Sequence, residues 1–90
     1  MKATQQRSTT RSVRLDGQTF VVTGKLMLMT HMEACDVIRS KGGWTEEDVS
    51  AGTDYVVVGS DPGQAQMEEA HRFGTPLLSE TEFLRLLGAR

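Results

Sequence analysis

The sequence predicts an α/β domain with a largely parallel sheet and helices on both faces. Two runs rich in β-branched residues, Thr19–Thr23 and Tyr55–Val58, lack polar alternation, as expected of strands buried on both sides. Two capping boxes, Thr30 with Glu33 and Ser79 with Glu82, each open a segment with helical apolar spacing. The resulting order, β-α-β-β-α-β-α, requires right-handed crossovers between parallel strands.

Taken in order, Leu15-Asp16-Gly17-Gln18 supplies a turn into the first strand, Thr19–Thr23, which Gly24 closes. Leu26 to Met29 is an apolar run where a loop is expected; Leu26 is assigned to the core, leaving Met27, Leu28 and Met29 as an exposed adhesive patch. Thr30 caps the first helix, with Ala34, Val37 and Ile38 toward the sheet and Gly42-Gly43 as a left-handed stop. Trp44 to Val49 is short and acidic and reads as a weak edge strand, followed by a Ser50-Ala51-Gly52 loop. Thr53–Gly59 contains the central strand. Asp61-Pro62-Gly63 turns into a second helix over 64–73, with Met67 and Ala70 inward and Gly74 as its stop. Pro76-Leu77-Leu78 is a short strand, and Ser79 opens a last helix whose apolar face is Phe83, Leu84, Leu86 and Leu87.

Ninety residues make one domain, with 38% apolar and 24% charged residues, and no apolar run approaches the length of a membrane span. The start of the chain has positive charge but not the apolar stretch of a secretory signal, so a cytoplasmic location is expected. Cys35, the only cysteine, fits a reducing compartment and excludes a zinc thiolate cluster. The net charge of −2 conceals an asymmetry: Lys2, Arg7, Arg11 and Arg14 stand in the first fourteen residues without an acid, while residues 15–90 hold all twelve acids and six bases. The basic segment reads as a linker, with an arm that touches nucleic-acid phosphates as the alternative.

Thr23-Gly24-Lys25 resembles a phosphate loop but lacks its machinery. A nucleoside triphosphate site needs G-x-x-x-x-G-K-[ST], so that several backbone amides converge before the lysine arrives; here one glycine precedes Lys25, and Leu26 follows it. There is no G-x-G-x-x-G for a dinucleotide. His31 and Cys35 share a helix face, but without a third orienting group they read as ordinary helix residues, and with Asp36 they make no complete metal set. Glu46-Glu47-Asp48 reads as a solvated edge that discourages strand pairing. Trp44 reads as core packing or edge cover, with a partner-binding anchor as the alternative. No cofactor or metal site is indicated.

Several stretches together resemble a BRCT domain: Phe20-Val21-Val22-Thr23-Gly24, the Gly42-Gly43 pair, Val49 to Gly59, Asp61-Pro62-Gly63, Ala70 to Leu78 and Glu82 to Leu87. The likeness covers residues 13–88, leaving 1–12 as a basic tail, and is greatest to the bacterial type at the C-terminus of NAD-dependent DNA ligases. It implies a four-stranded parallel sheet of order 2-1-3-4, with the first and third helices on one face and the second on the other.

The resemblance also implies a non-enzymatic module that binds proteins or DNA in replication and repair, near the nucleoid. Many members hold a phosphate with a Ser/Thr ending the first strand, the next glycine amide, and a lysine near the start of the second helix. Thr23 and Gly24 match the first two positions. Gln66 and Glu69 stand where basic residues are expected, leaving Lys25 as a partial substitute, and Phe83 replaces the last-helix tryptophan of many eukaryotic members. DNA engagement is expected from Thr23, Gly24, Lys25, Arg7, Arg11 and Arg14, and protein docking from Met27, Leu28, Met29 and Trp44. The implied parent is a DNA ligase that the module helps to engage DNA and assemble. The alternative is a protein-docking domain of a DNA polymerase III exonuclease-type subunit or a stand-alone protein.

Overall fold

Among the described residues, seven elements follow in the expected order: β1 (Thr19–Thr23), α1 (His31–Ser40), β2 (Trp44–Thr45), β3 (Tyr55–Val58), α2 (Gln64–Phe73), β4 (Leu77–Ser79) and α3 (Glu80–Leu86). The structure, a computed structural model, describes residues 14–88. The 1–12 segment with Arg7 and Arg11 therefore lies outside the described residues. The strands form one parallel sheet, ordered β2-β1-β3-β4, in which Val21 pairs with Val56 and Val57 with Leu78.

Strand alternation divides the apolar residues between two layers. Phe20, Val22 and Val57 face Ala34 and Ile38 of α1 and Phe83 of α3, with Leu15 and Leu26 completing that cluster. Val21 and Val56 face the other way, against Ala70 of α2 and Val49. Phe20 sits at the centre of the larger cluster, stacked on Tyr55 at 5.3 Å and edge-on to Phe83 at 6.2 Å. The flanking of the sheet by α1 and α3 on one side and α2 on the other follows from these two clusters.

Both capping boxes form. The Thr30 hydroxyl accepts the Glu33 N–H at 3.0 Å, while the Glu33 carboxylate accepts the Thr30 N–H at 2.9 Å. Ser79 and Glu82 repeat the arrangement at 3.1 and 2.8 Å. At the far end of α1, Gly42 adopts φ +90°, and the amides of Gly42 and Gly43 donate to the carbonyls of Arg39 and Ile38. This is a Schellman stop, which needs the left-handed conformation that glycine takes without strain.

Three expectations need correction. β2 is not a strand over Trp44–Val49 but only Trp44–Thr45. Its last ladder bond is from the Glu46 N–H to the Phe20 carbonyl; the chain then crosses to the α2 side, where Val49 is buried against Val21, Val56 and Ala70. Burying Val49 outweighs extending an edge whose next residues are all acidic. β4 runs one residue later than expected, over Leu77–Ser79, so that Ser79 both ends the strand and caps α3. Leu15, read only as part of a turn, is a core residue at 1% exposure.

The shortness of β2 would leave the Val22 carbonyl without a strand partner. His31 fills that place, its Nε2–H donating to this carbonyl at 3.1 Å. Among the described residues no helix is long and apolar enough to cross a membrane.

Candidate functional site

In a parallel sheet of order 2-1-3-4 the chain leaves β1 toward one edge and β3 toward the other, so the loops after these strands diverge and open a crevice at their carboxyl ends. The Gly24–Met29 and Gly59–Gly63 loops flank that crevice. Near its base they are joined by two reciprocal bonds, each 2.8 Å: Lys25 N–H to the Ser60 carbonyl and Ser60 N–H to the Lys25 carbonyl. Such an approach excludes side chains. Gly24 has φ +85°, and a Cβ there would stand 2.8 Å from the Ser60 oxygen.

Above this join lies an open groove of about 570 Å³, lined by Gly24, Lys25, Leu26, Met29, Thr30, His31, Ser60 and Asp61. Its floor is apolar, from Leu26 and Met29, and its rim carries the charges of Lys25 and Asp61. Beside it, Thr23 is 6% exposed, and its hydroxyl accepts the N–H of Gly63, the residue that caps α2, at 2.8 Å. The Gly24 N–H donates to no acceptor among the described residues. Thr23, Gly24 and Lys25 are thus brought together as a buried hydroxyl, an available amide and an exposed ammonium at one end of the sheet, the makings of an anion cradle.

Gln66 overhangs Gly63, its Oε1 against the glycine Cα side and its Nε2 directed at the Glu47 carbonyl at 3.4 Å. Glu69 is half-buried and faces Arg72 at 4.0 Å. The first turn of α2 therefore brings no cation to Thr23. Arg14 is paired with Asp16 at 2.9 Å and lies near Gly42, at the opposite end of β1 from Lys25. The structure does not gather Arg14 and Lys25 into one site.

The apolar loop is partly as expected. Met27 and Leu28 are 82% and 72% exposed, and Leu26 enters the core. Met29, expected in the exposed patch, instead packs half-buried against the core. Two bonds hold this loop in place: the Glu80 carboxylate at the start of α3 accepts the N–H groups of Met27 and Leu28, each at 2.7 Å. Glu80→Gln should weaken this clamp by about 1–2 kcal/mol, because a neutral amide oxygen is the poorer acceptor and the second atom becomes a donor. Faster hydrogen exchange at the Met27 and Leu28 amides, with the β1 and β3 amides unchanged, is the expected result.

Trp44 is 64% exposed, so core packing is ruled out. Thr45 faces α1, where its hydroxyl accepts from Arg39 at 2.9 Å, and alternation then places Trp44 on the α2 side of the sheet. It does not adjoin Met27 and Leu28, which Glu80 holds on the α3 side. Met32, 71% exposed beside His31 and Cys35, was not singled out by the sequence, and neither was Glu80, whose bonds span more than fifty residues.

His31 and Cys35 are adjacent, with Sγ 3.8 Å from Nδ1, but the Nε2 of that ring is taken up by the Val22 carbonyl. The ring is a structural fastener. No three His, Cys, Asp or Glu side chains gather as a metal site among the described residues.

The BRCA1 C Terminus (BRCT) domain family model matches residues 12–87. A DNA ligase of Synechococcus sp. (strain JA-2-3B'a(2-13)) is 46% identical over 82 residues, covering 91% of this chain and 12% of the ligase. A DNA ligase of the archaeon Natronomonas pharaonis is 45% identical over 73 residues, 81% of this chain and 11% of that protein. One from Roseiflexus sp. (strain RS-1) is 38% identical over 89 residues, 96% of this chain and 12% of that protein. The chain thus spans only about an eighth of the length of these relatives. A parallel sheet of order 2-1-3-4, two helices on one face and one on the other, and a family match across nearly all of its length establish that this chain belongs to the BRCT family.

Proposed function

We propose that this chain is a non-catalytic interaction module of a DNA ligase, of the NAD-dependent type, that helps its parent engage DNA and assemble in the cytoplasm. The observation that carries this reading is the grouping of Thr23, Gly24 and Lys25 at the mouth of the switch-point groove. A hydroxyl, an amide and one ammonium suit the phosphate backbone, which every DNA sequence presents alike. Residues 15–90 are net acidic, so the contact is local, and Arg7, Arg11 and Arg14 supply the remaining attraction.

Titration with a nicked duplex over a range of salt concentrations tests this. Four phosphate contacts give a log–log salt slope of about −3 to −4, and replacing the three arginines by glutamine reduces it to about −1. A second reading, docking of a replication or repair protein, is favoured by the clamped and exposed Met27–Leu28 loop. Absence of duplex binding, together with partner capture lost in Met27→Ser, would favour that reading.

A further inference from the structure

The charges around the groove decide which kind of phosphate it accepts. Its lining carries one cation, Lys25, and one anion, Asp61, and neither takes part in a salt bridge among the described residues. On the α2 side, the Thr23 hydroxyl is already an acceptor for Gly63, and the side chain over Gly63 is the neutral amide of Gln66. Among the described residues, an anion entering between the two loops therefore meets a single positive charge with a carboxylate on the same rim.

A terminal phosphomonoester carries a charge of about −1.5 to −2 at neutral pH, whereas an internal phosphodiester carries one negative charge. Lys25 offsets the single charge. Among the described residues a second charge finds no further cation at the groove, and it is repelled by Asp61. The apolar floor of Leu26 and Met29 compounds the difference, because a dianion loses more hydration than a monoanion on approaching such a surface.

We infer that this groove takes internal phosphodiesters of the DNA backbone and does not select a 5′-terminal phosphate. The inference rests on the proposed engagement of DNA and specifies its chemistry: the module lies on the duplex flanking a break and leaves the phosphorylated end free.

The test is a pair of titrations of the full 90-residue chain at low salt, with nicked duplexes that differ only in a 5′-phosphate or 5′-hydroxyl at the nick. The two dissociation constants should agree within about twofold, and Lys25→Gln should weaken both by a similar factor. Gln66→Lys adds a cation beside Gly63, and Asp61→Asn removes the rim charge while retaining a residue that tolerates its φ of 54°. Both should move the ratio toward the phosphorylated duplex, Gln66→Lys by about threefold or more. A wild-type preference for the 5′-phosphate of about tenfold overturns the inference while leaving DNA engagement intact, as does a ratio that Gln66→Lys does not change. Failure of the chain to bind either duplex overturns both.

Discussion

Phe83→Ala destabilises the domain by about 3–5 kcal/mol, close to half of the stability expected for a chain this small. Phe83 has no exposed surface and is the one fully buried side chain of α3, lying edge-on to Phe20 over β1 and β3. Truncating it leaves a cavity that a sheet on one side and α1 on the other cannot close. A midpoint lowered by about 15–30 °C in thermal denaturation is the expected measurement. The effect extends to the Met27–Leu28 loop, because α3 also carries Glu80, which holds the Met27 and Leu28 amides. Phe83→Leu, which retains most of the volume, should cost about 1–2 kcal/mol and keep those amides protected.

Gly24→Ala costs about 2–4 kcal/mol and is the substitution with the largest expected effect on the groove. About 1–2 kcal/mol comes from holding a residue with a Cβ at the left-handed φ of +85°. The rest comes from the contact with the Ser60 carbonyl oxygen, relieved only by separating the Lys25–Ser60 bonds. The same substitution at Gly59 meets the Lys25 backbone from the other side. In native-state hydrogen exchange, Gly24→Ala should expose the Lys25 and Ser60 amides while Val21 and Val56 stay protected. Duplex affinity should fall even at temperatures where the sheet is intact.

The parts of the fold legible in the sequence are those fixed by local chemistry or by uniform burial. Both capping boxes and the Gly42 stop are bonds between residues a few positions apart, and β1 and β3 are apolar enough to need cover on two faces. β2 was overestimated because its fate depends on Val49, whose partners Val21, Val56 and Ala70 are distant in sequence. Met29 and Trp44 exchanged expected environments for the same reason: whether a loop methionine turns inward, or an edge tryptophan is covered, depends on neighbours that no short window contains.

At the site, Thr23, Gly24 and Lys25 were legible as a hydroxyl, an amide and an ammonium in succession. Ser60 and Asp61, which complete the groove, enter it only through the parallel pairing of β1 with β3. Gln66 was recognisable as a departure from the family pattern, but its position over Gly63 and its reach to Glu47 required the structure. His31 left no local signal of its role, since its partner is a carbonyl exposed by the early end of β2.

In the proposed function, the groove between the β1 and β3 loops is where this BRCT domain meets DNA. Amide chemical-shift mapping of the full chain during titration with a nicked duplex at low salt tests this most directly. The proposal predicts that the largest shifts outside the basic tail fall on Gly24, Lys25, Ser60, Asp61 and the first turn of α2, and that they diminish in Lys25→Gln. Shifts confined to residues 1–14, or centred on the far edge at Phe73 and Leu77 with Gly24 and Ser60 unmoved, would contradict it.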